Sequence, residues 1–203
     1  MIKAVIFDYY GVMCPRIVPL LTEGTARQFV ISHKKSLEVI DYLLCLMDEN
    51  KLTFYKYWRT LKSELKNKEA KLSDHQRIWE ESLSKLDLWP QMTNLVKKIK
   101  KSGYTVPLLS NVLRKTAIYN KRKGRYDLFK PVLLSYKMGI RKPSPTIFKH
   151  ALKKLRLKAE ECVFIDDRTS YLEGAKSLGI KTIHFKNYSR LVRDLKRVGI
   201  HGI

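Results

Sequence analysis

Acidic residues are scarce in this chain. Nineteen Asp and Glu stand against 41 Lys and Arg over 203 residues, a formal net charge of +22. Such an excess favours polyanionic partners over cationic ones. Cysteine is scarcer still: Cys14, Cys45 and Cys162 are odd in number and far apart, which argues against a disulfide framework and a cysteine-built zinc site. The five histidines, His33, His75, His150, His184 and His201, show no metal-ligand spacing and read as structural or exposed. No stretch approaches the roughly 18 apolar residues of a membrane span. Residues 2–7 are too short for a secretory signal and lack a small-residue cleavage site. The expectation is a cytoplasmic protein with no membrane contact. Internal repeats, low-complexity tracts and Pro/Gly-rich linkers are also missing, so solenoid and linker-joined architectures drop out.

What is present is an alternation. Strand-like apolar runs recur at about 2–7, 104–109, 131–134, 161–165 and 180–185, and helical patterns at 91–102, 111–123, 145–156, 168–178 and 187–198. Strands alternating with helices of this length predict an α/β fold, a doubly wound parallel sheet with helices on both faces. The stretch 14–88 has no clear strand. Leu37, Ile40, Leu44 and Met47 follow helical spacing there, as do Phe54, Tyr57, Trp58 and Leu61. Thr53 is placed as the N-cap of the second helix, and Ser73 or Asp74 as that of a third. The expected organisation is an α/β core from residues 1–13 and 89–203 with a helical cap from 14–88. The aromatics at 54–58 could stack on bases, but their helical spacing and Leu partner fit the interior of that cap better. Basic residues appear in every helical pattern rather than on one stripe. A small phosphorylated molecule is therefore the expected partner, and nucleic acid is not favoured.

Two of the apolar runs end in acids. Ile2-Lys3-Ala4-Val5-Ile6-Phe7 stops at Asp8, and Cys162-Val163-Phe164-Ile165 stops at Asp166-Asp167. Open α/β sheets bind ligands at the carboxyl ends of their strands. Carboxylates delivered there suit a hard cation or an acid that attacks an electrophile. An isolated Asp after a strand is usually a turn former; the matching Asp-Asp pair argues against that reading here.

The pattern resembles the haloacid dehalogenase-like hydrolase superfamily with a helical cap after the first motif. Asp8 matches the nucleophile of the first motif and Ser110, followed by Asn111, the second. Lys142 in Gly139-Ile140-Arg141-Lys142-Pro143 matches the third, and Asp166-Asp167 with Glu173-Gly174-Ala175 the fourth. The resemblance implies that Asp8 is nucleophile and that Lys142 offsets the charge of nucleophile and transferred group. Ser110 and Asn111 would hold the phosphoryl oxygens, and Asp8, the Tyr10 carbonyl, Asp166 and Asp167 would hold Mg²⁺.

One position departs. Phosphatases of the family carry a second aspartate two residues after the nucleophile, which trades protons with the leaving group. Here that residue is Tyr10, and a phenol titrating near 10 is a poor general base. Asp-x-Tyr-Gly resembles the 2-haloacid dehalogenase branch, yet the paired Asp166-Asp167, Phe148 and Tyr171 do not follow that branch. Three readings stay open: a Mg²⁺-dependent phosphohydrolase acting on a substrate with a good leaving group such as an acyl phosphate, a dehalogenase-like hydrolase, and a degenerate member that binds a phosphorylated ligand or nucleic acid without turnover.

Overall fold

The computed structural model describes residues 1–48, 51–64 and 71–203. Among them, β1 (Ala4–Phe7), β2 (Leu108–Ser110), β3 (Val132–Leu134), β4 (Cys162–Asp166) and β5 (Lys181–His184) form one sheet in the order β3-β2-β1-β4-β5. Every pairing is parallel, with Phe7 beside Leu108 on one side and beside Ile165 on the other. The order reverses between β1 and β4, which opens a crevice at their carboxyl ends.

The central strands are apolar throughout because both faces are covered. Val5, Phe7, Val163 and Ile165 face one cluster, packed on α5 (Pro90–Lys101) and α10 (Tyr188–Arg197) through Leu95, Ile99, Leu191 and Leu195. Ala4, Ile6, Cys162 and Phe164 face the other, against Ile147, Phe148 and Ala151 of α8 (Pro145–Leu155) and Leu172 and Ala175 of α9 (Thr169–Lys176).

The expected strand at 104–109 starts late. Pro107 has no N–H to donate to a ladder, so Thr105 makes only an isolated bridge to Ala4 and regular pairing begins at Leu108. The helix expected from 111 likewise begins only at Arg114, as α6 (Arg114–Arg122). Asn111 is held by hydrogen bonds elsewhere, described below, and cannot join the helical turn.

Between β1 and α5 the described chain forms α1 (Ile17–Phe29), α2 (His33–Asp48), α3 (Phe54–Glu64) and α4 (Leu72–Ser84). They share their own cluster, with Leu21, Ile40, Leu44, Tyr57, Trp58, Leu61, Ile78 and Trp79 all buried. The aromatics at 57 and 58 are interior residues, not a stacking platform. The side chains of Cys45, Met47 and Phe54 lie outside the described residues. Thr53 caps α3, its Oγ1 accepting from the Lys56 N–H at 3.3 Å. The cap expected at Ser73 or Asp74 is displaced: α4 begins at Leu72, and the Asp74 carboxylate reaches back to accept from the Lys71 N–H at 3.3 Å. An acid at the third helical position can serve the preceding backbone in this way. Among the described residues, no helix is long and apolar enough to cross a membrane.

Candidate active site

Asp8 and Asp166 leave the carboxyl ends of β1 and β4, the two strands that flank the crevice. Lys142 enters from the loop after β3 and is fully buried between them. Its Nζ lies 2.7 Å from Asp8 Oδ1 and 2.6 Å from Asp166 Oδ2. A buried ammonium is held in place by such pairing and leaves an uncompensated charge if either partner is removed. Burial alone would pull the Lys142 ammonium down; Asp166 and Asp8 override it and hold the group above its ordinary value. Burial pushes the Asp8 carboxyl up, Lys142 pulls it back, and Asp166 adds a further upward push. The other Asp166 oxygen accepts from the Arg168 N–H at 2.9 Å.

Two features set the position of Lys142. The Asn111 side chain pairs with its peptide, Oδ1 accepting from the Lys142 N–H at 2.9 Å and Nδ2 donating to the Lys142 carbonyl at 3.0 Å. On the far side, Gly174 of α9 packs so closely on the Pro143 carbonyl that a Cβ there would overlap it.

Asp167 lies on the opposite rim. Its carboxylate is paired with the Arg16 guanidinium through Nε and an Nη. The same carboxylate presses against Gly11, whose φ of +87° and missing Cβ only glycine supplies without strain or overlap. One oxygen each from Asp8, Asp166 and Asp167 lie within 4.8 Å of one another. Three hard oxygen donors so grouped are the donor set of a Mg²⁺ ion, so the residues present fit that cation.

Tyr10 lines the cleft, but its hydroxyl is turned away from the carboxylates. It accepts from Asn120 Nδ2 of α6 at 2.7 Å, and Asn120 also donates to Tyr126 at 3.1 Å. Arg125 continues the network to Asn120, to the Leu83 carbonyl and to Asp87, where the chain returns from the helical block. Burial, above all, pushes the Tyr10 phenol well above its ordinary value. Ser110 is fully buried at the end of β2, its hydroxyl directed at the Asn111 carbonyl at 3.4 Å.

The structure thus brings Asp8, Lys142, Asp166 and Asp167 together, attaches Asn111 to them through Lys142, and holds Ser110 and the Tyr10 hydroxyl to one side. Sequence reasoning missed Arg16, Asn120, Arg141 and Arg168. Arg141 and Arg168 adjoin the matched motifs and could have been marked from that alone. Arg16 and Asn120 meet their partners across 151 and 110 positions, and no spacing announces them.

A family model for haloacid dehalogenase-like hydrolases matches residues 2–179. The glyceraldehyde 3-phosphate phosphatase of Pyrococcus furiosus is 36% identical over 106 residues, 49% of this chain and 43% of that protein. This chain spans about half the length, or less, of the first curated relatives it matches. A haloacid dehalogenase-family enzyme of Bacteroides thetaiotaomicron, solved with magnesium and inorganic phosphate, superposes with a TM-score of 0.73 at 22% identity, covering 94% of this chain and 99% of that one. The L-2-haloacid dehalogenase of Xanthobacter autotrophicus, with chloropropionic acid covalently bound, gives 0.66 at 18% identity, covering 99% and 85%. At these identities the two structures establish a shared fold.

Proposed function

The chain belongs to the haloacid dehalogenase-like hydrolases, and from that premise we propose that it is a Mg²⁺-dependent phosphohydrolase with Asp8 as nucleophile. The observation that carries this reading is the buried Asp8–Lys142–Asp166 chain at the strand ends, with Asp167 completing a group of three carboxylates. A carboxylate attacks phosphorus, forms an aspartyl phosphate and expels the leaving group, and water then hydrolyses the acyl phosphate. Lys142 orients Asp8 and offsets the charge that builds as two anions approach. Asn111 keeps Lys142 in register. Asp8, the Tyr10 carbonyl, Asp166 and Asp167 would hold Mg²⁺, which supplies charge neutralisation at the phosphoryl oxygens.

Tyr10 shapes the choice of substrate. Its hydroxyl is committed to Asn120, and burial keeps the phenol neutral and weakly acidic. The leaving group therefore departs with little protonation, which suits an acyl phosphate or another group stable as an anion. The Asp166-Asp167 pair and the three-carboxylate group favour this reading over halide displacement, which needs no cation. We further propose that residues 14–88 form a helical cap over a core of 1–13 and 89–203, because α1, α2 and α4 contribute Ile17, Leu44 and Trp79 to the cleft above Asp8.

The test is hydrolysis of acetyl phosphate and of an aryl phosphate by the whole chain, with Mg²⁺ and with EDTA, beside Asp8→Asn. Turnover that requires metal and disappears in the variant is the expected result. Turnover retained in Asp8→Asn would sink the nucleophile assignment.

A further inference from the structure

The cleft above Asp8 carries more positive charge than a single transferred phosphoryl group uses. Arg141 Nη2 donates to the Tyr171 hydroxyl at 3.0 Å, and Arg168 Nη1 donates to the same oxygen at 3.2 Å. Two guanidinium groups are thus converged on one neutral acceptor, and all three side chains line the cleft. Like charges brought together repel, and more strongly where walls exclude water. Lys142 is engaged by Asp8 and Asp166, and Arg16 by Asp167. Among the described residues, no carboxylate makes ion-pair contact with Arg168; Asp41, also on the cleft wall, acts on it only at longer range. The Arg168 guanidinium is stacked at 5.3 Å from the Tyr171 ring centroid, which fixes the plane of its donors. The Lys142 ammonium sits over the same ring at 5.2 Å from the centroid. Tyr171 therefore separates the phosphoryl end of the cleft from the arginine end. Across from it, the wall contributed by the helices is apolar, with Ile17, Val18 and Leu44.

We propose that the cleft takes an organic phosphate whose far end carries a second oxyanion, received by Arg168 and Arg141 at the Tyr171 hydroxyl. This rests on the phosphohydrolase reading for the near end. The spine between the two anions is short and packs on Ile17, Val18 and Leu44. Planar paired N–H donors suit a carboxylate or a phosphate equally, and either satisfies the charge that Tyr171 leaves uncompensated. A hydrophobic monoester would place an apolar tail on two guanidinium groups and lose their hydration.

Binding rather than turnover tests this. Calorimetry on the whole chain, with and without Mg²⁺, would compare 3-phosphonopropionate, propane-1,3-diphosphonate and propylphosphonate, which share a spine and differ at the far end. The expected result is that at least one doubly anionic compound binds roughly tenfold or more tightly than propylphosphonate, the scale of one charge-assisted contact. Which of the two binds tighter identifies the second anion as carboxylate or phosphate. Arg168→Gln should bring the ratio toward one, and Arg168→Lys should retain part of it. Arg141→Gln provides a second, independent variant, with circular dichroism confirming the fold of each. Equal binding of all three compounds by the wild-type chain overturns the proposal and leaves the phosphohydrolase reading standing. So does a preference that survives in both glutamine variants, and so does an equal loss for all three compounds, which would assign the arginines to the near-end phosphoryl group. No binding of any of the three by the folded wild-type chain overturns both readings.

Discussion

Two buried titratable centres in this molecule are built on opposite principles. At the sheet edge, Lys142 stays charged in the interior because Asp8 and Asp166 meet its ammonium at hydrogen-bond distance. Inside the helical block, His75 of α4 is enclosed by rings, 5.2 Å from Tyr57, 5.1 Å from Trp58 and 5.9 Å from Trp79 between centroids. Burial, with some help from the charge of Lys115, pushes this imidazole down to about 3. One centre keeps a charge by supplying counter-charges; the other keeps a polar ring by removing its charge. The first makes the core a reactive surface, and the second makes the helical block an apolar body that happens to contain histidine.

The comparison breaks most sharply at Lys142. Lys142→Met leaves two carboxylates facing each other in the interior, and the expected loss is about 3–5 kcal/mol of stability, read from the urea midpoint at neutral pH. A loss under about 1 kcal/mol would mean that water enters the site and screens the pair.

Acid tests the other centre. Unfolded, His75 titrates at its ordinary 6.5; folded, it is held near 3. The unfolded chain thus binds a proton that the folded chain refuses. This stability is fully present above pH 6.5 and is lost as pH falls toward 3, by up to about 1.4 kcal/mol per pH unit. Thermal unfolding of the wild-type chain and of His75→Leu between pH 7 and 5 should show the difference, with the variant's midpoint the flatter of the two. Parallel curves would overturn the assignment.

A smaller effect is expected at Asn111, which joins the two ends of the core site. Asn111→Ala removes both hydrogen bonds to the Lys142 peptide, at about 1–3 kcal/mol. It should lower turnover more than it weakens phosphate binding, because the ammonium loses its register with Asp8. Equal effects on kcat and KM would point to a contact with the substrate itself.

The smallest effect belongs to Tyr10. Tyr10→Phe forfeits one hydrogen bond from Asn120, about 0.5–1.5 kcal/mol, and should change acetyl phosphate turnover by less than about tenfold. A fall of ~10²–10⁴ would return the phenol to proton transfer.

What the sequence revealed follows from which signals are local. β1 and β4 are buried on both faces, so their residues are apolar without interruption and the acids that end them stand out. The order of strands and helices could be read because each element carries its own period. The start of β2 could not, since Pro107 looks apolar in a run and removes a ladder donor in a sheet. The start of α6 was misplaced for a related reason: Asn111 reads as a helix-entry residue and instead serves the Lys142 backbone from across the crevice. Arg16 and the Tyr10–Asn120 link lie further from reach, because each is made by residues that only the closed fold brings together.

Lys142 is delivered by a loop rather than a strand, yet its peptide is gripped as though it were one. The Asn111 amide offers donor and acceptor to the same residue, and the Gly174 backbone closes in on Pro143 immediately after it. The ammonium is therefore indexed from both sides at the point of use, not by the path of the chain before it. Insertions or deletions between α7 (Ser135–Met138) and Lys142 would change the outline of the surface while the reacting groups kept their spacing.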